Sequence, residues 1–370
     1  MSSDADLPFI DLRSQYAAIR DDVNARIQKV LDHGQFIMGP EVRELEAALG
    51  SWSGAEHCIT VSSGTEALLI SLMALGIGPG DEVITSPFTF AATAEVIALV
   101  GATPVFVDVE PDTANIDAGL IEAAITRRTK AIMPVSLYGQ AADMAEINAI
   151  AERHGLAVVE DAAQSFGAEY QGKKSAALST FGCVSFFPSK PLGCYGDGGA
   201  IFTHDADLAR AAREIRIHGQ SERYVHTRVG VGGRMDTIQC AVLLAKLERF
   251  EWEIAQRLEI GARYNAMLDE LSIPRIVQRE DRTSVFAQYT VVVEDRSQVI
   301  AKLKALGIPT AVHYPIPLNR QVAYESLSRG EPTPNADHLA ARVMSLPMHA
   351  DLDLQTQRRI VNALSDALNA

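Results

Sequence analysis

Residues 157–164 read AVVEDAAQ, and residues 183–190 read CVSFFPSK. Both segments begin with a short, almost continuously apolar run, which is typical of a strand buried on both faces of a sheet. Asp161 follows the first run, and Lys190 lies just past the second. Because ligands of open α/β sheets bind at the carboxyl ends of the strands, these two side chains predict a ligand site at that edge.

Four further apolar runs precede these two segments. The candidate strands are residues 58–61, 82–85, 103–107, 131–135, 157–160 and 183–187. Helix-like amphipathic segments separate the runs. This alternation predicts an α/β fold with a mostly parallel central sheet and helices on both of its faces.

Three regions are predicted along the chain. Residues 1–50 predict an N-terminal helical arm around a loop at 34–40, and residues 51–250 predict the large α/β domain. Residues 251–370 predict a connecting helix and a smaller C-terminal α+β domain. The elements expected in these last parts are a long helix from about Thr237 to Leu268, β structure at 286–294, a helix at 298–306 and a closing helix after Leu354.

The composition narrows the class of protein. The 370 residues carry a net charge of -14 and have a pI near 5.1, so no basic stripe is available for a nucleic acid. No apolar run approaches the roughly 20 residues of a membrane span, and residues 1–6 carry acids where a secretory leader carries bases. We therefore expect a cytoplasmic protein that binds neither nucleic acid nor membrane.

The cysteines predict no special chemistry. Cys58, Cys183, Cys194 and Cys240 are scattered, with no CxxC pair and no nearby histidine cluster. Neither a metal site nor a disulfide framework is expected from this spacing. We expect reduced and mostly buried thiols.

Residues 62–67 read SSGTEA, follow a candidate strand and open an apolar helix. Such a helix start presents unpaired backbone N–H groups and the positive end of the helix dipole, which suits a phosphate. The same residues also suit a helix cap without a ligand, and the sequence alone leaves this alternative open.

Asp161 and Lys190 have the chemistry that a pyridine cofactor needs. A carboxylate at the strand end would keep a pyridinium nitrogen protonated, so that the ring can act as an electron sink. A lysine in an apolar pocket has a lowered pKa, which favours a Schiff-base amine. Each residue also has a structural alternative, since Asp161 could only cap the next helix and Lys190 could be solvated.

The order of these segments within one domain resembles the sugar aminotransferases of the DegT-like family. The order is the helix start at residues 62–67, which suits a phosphate, then the segment 87–91 (PFTFA), then Asp161 and finally Lys190. The resemblance extends from residues 35–40 (QFIMGP) to residues 345–349 (SLPMH). It implies the fold of a fold-type I enzyme that uses pyridoxal 5'-phosphate (PLP), with pyridoxamine phosphate (PMP) as the form that carries the amino group.

The resemblance also implies a role for each site residue. Lys190 would bind PLP covalently and move protons, and Asp161 would pair with the ring nitrogen. The remaining cofactor contacts are implied at the phosphate (Gly64, Thr65 and Ser185), at the ring face (Phe90) and at the phenolic oxygen (Gln164).

Residues 230–234 (GVGGR) depart from the family pattern Gly-x-Asn-x-Arg. The asparagine that reaches the neighbouring subunit's cofactor phosphate in relatives is Gly232 here, so Gly232 is not assigned to the site. A backbone N–H of this glycine-rich loop could take its place, because glycine lets the main chain approach an anion closely. The resemblance implies a homodimer with active sites at the interface, which this loop would cross.

The implied reaction moves an amino group from glutamate, which becomes 2-oxoglutarate, to a nucleotide-linked keto-sugar. Residues 218–234 look most like the branch that aminates C3 of UDP-2-acetamido-2-deoxy-3-oxo-glucuronate, for surface polysaccharides such as O-antigen. Arg234 is the candidate for the uronate carboxylate, since an arginine fork matches that group. Arg234 could equally bind glutamate or form a structural ion pair. His313 and Tyr314 are candidates for sugar or nucleotide contacts, or for a turn that packs the domains.

Three rival functions differ in chemistry. The acceptor could be a 4-keto-6-deoxyhexose linked to dTDP or UDP, and the sequence discriminates poorly between the two sugars. Sugar dehydratases on this scaffold have a histidine where this chain has Lys190, which argues against them. A PLP-binding regulator without turnover would usually append a DNA-binding module, and no basic helix-turn-helix segment is visible.

Overall fold

The computed structural model describes residues 7–369. Residues 1–6, on which the expectation of a missing secretory leader rests, and Ala370 lie outside the described residues. Within the described part, no helix combines the length and the apolar character that crossing a bilayer requires.

The described residues form thirteen strands and twelve α-helices. The strands are β1 (His57–Val61), β2 (Glu82–Thr85), β3 (Thr103–Phe106), β4 (Thr129–Met133), β5 (Ala157–Asp161), β6 (Glu169–Tyr170), β7 (Lys173–Lys174), β8 (Phe181–Ser185), β9 (Gly199–Thr203), β10 (Gln220–Glu222), β11 (Val225–His226), β12 (Tyr289–Val292) and β13 (Val343–Leu346). The helices are α1 (Leu12–His33), α2 (Pro40–Ser53), α3 (Gly64–Ala74), α4 (Ala92–Leu99), α5 (Ala118–Ala124), α6 (Met144–His154), α7 (Ala206–Arg216), α8 (Thr237–Glu270), α9 (Arg296–Ala305), α10 (Val322–Glu325), α11 (Pro334–Arg342) and α12 (Leu354–Asn369).

A seven-stranded sheet forms the centre of the large domain. Its strands lie in the order β1-β9-β8-β5-β4-β2-β3. The pairs from β8 to β3 are all parallel, whereas β9 runs antiparallel to both of its neighbours. The predicted class, a mostly parallel α/β sheet, is therefore confirmed.

In the central sheet, two strand predictions are wrong by two residues, and one strand was missed. Strand β4 ends at Met133 and not at residue 135, because Pro134 has no N–H to continue the ladder. Strand β8 ends at Ser185, so the aromatic residues 186 and 187 lie beyond it. Strand β9 was missed because its start at Gly199 continues a glycine-rich stretch that predicts turns.

Helices cover both faces of the sheet, as predicted. Neighbouring residues of one strand point to opposite faces, so Val159 packs with α3 and α7 while Val158 packs with α6. Residues of β5 and β8 are buried almost throughout, in agreement with their continuous apolar character. The four cysteines are buried, as expected, and reduced thiols remain a prediction.

The smaller C-terminal part is built on the distal half of α8. Strands β12 and β13 pair antiparallel, and helices α9 and α12 pack beside them around Tyr264 and Leu268. Helix α8 runs unbroken across residue 250, where the sequence places a domain boundary. Helices α1 and α2 of the predicted N-terminal arm both pack on α8, which spans the predicted boundary at residue 250. The division at residues 50 and 250 stays a prediction.

Candidate functional site

The start of α3 lies directly against the end of β8. Gly64 approaches Ser185 so closely that a Cβ added to Gly64 would lie 2.6 Å from the Ser185 Cβ. Ser63 caps the helix by accepting a hydrogen bond from the N–H of Glu66 at 3.0 Å. The N–H groups of Gly64 and Thr65 have no acceptor among the described residues, so they remain available to an anion at the helix start.

Asp161 is a buried carboxylate at the carboxyl end of β5. Its Oδ2 accepts a hydrogen bond from Thr93 Oγ1 at 2.8 Å, and its Oδ1 accepts one from the N–H of Ala163 at 3.2 Å. Burial raises the pKa of Asp161, while the two hydrogen bonds and the charge of Lys190 oppose that shift. A cationic partner would therefore stabilise the ionised form strongly at this position.

Lys190 follows β8 and lies close enough to Asp161 for each charge to affect the other. Burial lowers the pKa of the Lys190 amine, and the charge of Asp161 acts in the opposite direction. Among the described residues, no oxygen accepts a hydrogen bond from Lys190 Nζ and no carboxylate forms an ion pair with it. The amine is therefore free to react with a ligand.

Gln164 connects the strand end of Asp161 to the C-terminal part of the chain. Its Oε1 accepts a hydrogen bond from the N–H of Tyr138 at 2.9 Å, and its Nε2 donates one to Tyr314 Oη at 3.1 Å. The Phe90 ring is 56% exposed, and its centroid lies 6.2 Å from that of Tyr314. A large aromatic ring left open beside these polar groups offers a surface on which a flat ligand can stack.

His313 lies at the same cleft as Lys190. Burial, together with the nearby charge of Lys190, lowers the pKa of His313 to about 4. Its Nδ1 lies 3.0 Å from Ser345 Oγ. His313 is therefore neutral near pH 7 and can exchange hydrogen bonds with an uncharged group such as a sugar hydroxyl.

Arg234 lies on the other side of the α3 start. The loop that precedes it is attached there by the N–H of Ser62, which donates to the Gly233 carbonyl at 2.9 Å. Within residues 7–369, the Arg234 guanidinium forms neither a hydrogen bond nor an ion pair. A Cβ added to Gly232 would lie 3.2 Å from the His218 ring, so a side chain there would meet that histidine.

The structure brings most of the predicted site residues to one edge of the sheet. Gly64, Thr65 and Ser185 line one end, and Asp161, Gln164, Lys190, Phe90, His313 and Tyr314 line the other. Arg234 stands apart, next to the helix start. Sequence reasoning missed Thr93 and Tyr138, because a threonine inside a helix and a tyrosine after a strand carry no distinctive pattern.

These residues fit a cofactor such as PLP. The backbone N–H groups of Gly64 and Thr65 form an anion cradle beside Ser185, and only glycine permits this close approach because a Cβ at Gly64 would collide with Ser185. No cationic group within residues 7–369 donates a hydrogen bond to the buried carboxylate of Asp161, and a pyridinium nitrogen would supply one. Lys190 supplies the unpaired amine.

Comparisons with known proteins agree with this arrangement. The model of the DegT/DnrJ/EryC1/StrS aminotransferase family matches residues 17–365. A relative from Pseudomonas aeruginosa, named UDP-2-acetamido-2-deoxy-3-oxo-D-glucuronate aminotransferase, is 57% identical over 97% of this chain and all of its own. The family model and this relative both match nearly the whole length of the chain.

Two solved structures have the same fold as this chain. A DegT DnrJ EryC1 StrS aminotransferase from Brucella abortus superposes with a TM-score of 0.96, at 44% identity over 98% of this chain and all of its own. NtdA from Bacillus subtilis, solved with bound cofactor PMP, has a TM-score of 0.90 at 31% identity, covering all of this chain and 86% of its own.

Proposed function

The chain belongs to the DegT/DnrJ/EryC1/StrS aminotransferase family, and from this premise we propose that it moves an amino group from glutamate to C3 of a UDP-linked 3-oxo-uronate. The acceptor we propose is UDP-2-acetamido-2-deoxy-3-oxo-glucuronate. The similarity to the Pseudomonas aeruginosa relative along nearly the whole chain carries this choice. The surface-polysaccharide (O-antigen) role and the cytoplasmic location remain predictions.

The proposed cofactor is PLP, which supplies an electron sink for bond breaking at the carbon that bears the amine. Lys190 would hold it covalently through Nζ, and Asp161 would pair with its ring nitrogen. The phosphate would lie at the α3 start, with Gly64, Thr65 and Ser185 around it. Phe90 would cover the ring, and the second N–H of Gln164 Nε2 would reach the phenolic oxygen.

Lys190 would also act as the general base and acid of the reaction. Because burial lowers the pKa of its amine, the neutral form of Nζ is reached at a lower pH than in a solvent-exposed lysine. Once the amine of the donor has replaced Nζ on the cofactor, Nζ would be free to accept a proton from the carbon that carries the amine and later to return one. Asp161 would remain ionised once a cationic group lies beside it, because an opposite charge lowers its pKa.

The acceptor sugar would lie between the two domains. His313 and Tyr314 face the cleft and are uncharged near pH 7, since burial lowers the pKa of His313 and raises that of Tyr314. These groups suit hydroxyl and amide groups of a sugar. The uronate carboxylate needs a cation, and the guanidinium of Arg234 is free to supply it.

Replacing Arg234 with lysine tests the carboxylate contact. Lysine keeps the charge but loses the two-pronged geometry, so we expect kcat/KM for the uronate to fall about tenfold to a hundredfold. Activity should change by less than about twofold with a 6-deoxy acceptor, which carries a methyl group in place of the C6 carboxylate and is otherwise identical. Arg210→Lys, a solvent-exposed arginine paired with Asp207, is the matched control. Equal losses on both acceptors would show that Arg234 does not read the carboxylate.

We further propose that the protein acts as a homodimer with shared sites. Large apolar side chains are exposed on both sides of the 230–234 loop, namely Phe36, Ile37, Met38, Tyr224, Val225 and Val229. Ile37 forms a β-bridge with Asp236, so the 36–38 segment lies beside this loop. Exposed apolar surface of this kind is typical of an interface, and twofold dimers are the commonest closed assembly.

Mixed dimers test whether Arg234 serves the partner's site. We expect Lys190→Ala and Arg234→Ala chains, each inactive alone, to regain turnover with the uronate when they are co-expressed and purified as a heterodimer. One site then combines an intact Lys190 from one chain with an intact Arg234 from the other. Lys190→Ala with Asp161→Ala is the control and should stay inactive, because both residues belong to one site within a chain. Absence of recovery in the first pair would place Arg234 in its own chain's site.

The acceptor itself is tested by direct assay. We expect glutamate-dependent amination of UDP-2-acetamido-2-deoxy-3-oxo-glucuronate, followed as product by mass spectrometry. Neutral 4-keto-6-deoxyhexoses linked to dTDP or UDP, the alternative acceptors, should react at least about tenfold more slowly by kcat/KM. Reaction with a neutral 4-keto-sugar and none with the uronate would overturn the proposed substrate.

A further inference from the structure

Tyr138 lies between the proposed cofactor residues and the loop of His313 and Tyr314. Its ring is buried and packs edge-on against Phe88, with centroids 6.5 Å apart. Its Oη donates a hydrogen bond to the backbone carbonyl of His313. Its N–H donates to Gln164 Oε1 at 2.9 Å. One residue therefore contacts both sides of the cleft.

Gln164 makes a second connection to the same loop, beside the hydrogen bond from Tyr138 to His313. Gln164 Nε2 donates to Tyr314 Oη at 3.1 Å, so three hydrogen bonds link Tyr138, Gln164 and the 313–314 pair. All of these side chains are largely or wholly buried, where a hydrogen bond is poorly replaced by water. The 313–314 pair is therefore held from the side of the cofactor-binding sheet.

The backbone of Tyr138 supports the same conclusion. Its φ is 57°, in the left-handed region that large side chains seldom adopt. The turn is attached to the sheet, since the N–H of Ser136 donates to the carbonyl of Asp161 at 3.0 Å. An unfavourable backbone that the surroundings enforce is found most often at functional sites.

We propose that Tyr138 is a positioning residue that holds the His313–Tyr314 pair at a fixed place opposite Gln164. The inference rests on the proposed function for what the pair contacts, namely the acceptor sugar. The attachment itself rests only on the three hydrogen bonds. Tyr138 thus acts on acceptor binding through His313 and Tyr314, and it contacts no reacting atom.

Tyr138→Phe removes only the hydroxyl that holds the His313 carbonyl. We expect KM for the acceptor sugar to rise about tenfold, the effect of one buried hydrogen bond, with kcat and the KM for glutamate within about twofold of wild type. Tyr264→Phe is the matched control, because Tyr264 is equally buried and its Oη donates to the Pro347 carbonyl at 3.0 Å, away from the cleft. It should leave both KM values unchanged.

Amide hydrogen exchange of the holoenzyme separates this inference from the proposed function. Residues 311–316 should exchange at least about fivefold faster in Tyr138→Phe and at the wild-type rate in Tyr264→Phe. Unchanged exchange in Tyr138→Phe would overturn the attachment, and faster exchange with unchanged acceptor KM would overturn the positioning role. If wild type aminates another keto-sugar, the proposed substrate falls, while KM for that sugar and the exchange rates still test Tyr138.

Discussion

Replacing Lys190 with alanine is expected to lower kcat for amino transfer by at least about 10³-fold. The variant loses both the amine that would bind the cofactor and the base that moves the proton, and proton transfer by a positioned group alone contributes roughly 10²–10⁴-fold. Steady-state rates with glutamate and the acceptor sugar measure the loss.

Two variants make this result specific. Lys190→Arg keeps a positive charge but cannot bind the cofactor covalently, so it should be as inactive as Lys190→Ala. Lys173→Ala removes an exposed lysine of the same domain and should leave the rate unchanged. A loss below about tenfold in Lys190→Ala would contradict the assignment of Lys190.

Asp161→Asn is expected to lower kcat by about 10²–10³-fold, the range for loss of one preorganised electrostatic group. The amide oxygen can still accept the hydrogen bond from the N–H of Ala163, and the amide NH2 can donate to Thr93 Oγ1, so the local fold should be kept. It cannot stabilise a protonated ring nitrogen. The rate constant for loss of the cofactor absorption on addition of glutamate is the measurement.

This substitution also tests the alternative that Asp161 only caps a helix. Asparagine caps as well as aspartate does, so a capping role predicts nearly full activity for Asp161→Asn. Asp117→Asn is the matched control, because Asp117 caps α5 by accepting from the N–H of Gly119 at 2.9 Å. It should retain wild-type activity and the wild-type melting temperature.

The sequence predicts the α/β class and the edge of the sheet that carries the site. One apolar run leads to Asp161 and another precedes Lys190, and local periodicity is enough to predict both. The rule for parallel sheets then places the two residues at the same edge. Strand β9 escaped that reasoning because its first residue, Gly199, continues a glycine-rich stretch that predicts turns, although the strand pairs with both β1 and β8.

The parts of the site that sequence reasoning missed depend on tertiary contacts. Thr93 reaches Asp161 from helix α4, and Tyr138 reaches His313 across 175 residues of chain. Neither contact leaves a pattern of spacing in the sequence. Arg234, in contrast, lies in the 230–234 loop, which the family resemblance identifies from the sequence alone. Its contact with the uronate carboxylate is a proposal.

The central claim, that Lys190 binds PLP and that glutamate then converts it to the amine form, is tested most directly by absorption spectroscopy. The purified protein is saturated with PLP, and its spectrum is recorded before and after addition of glutamate, for wild type and Lys190→Ala. We predict a band near the violet edge of the visible range that requires Lys190 and disappears with glutamate. A band that is absent from wild type, or is the same in Lys190→Ala, would contradict the account.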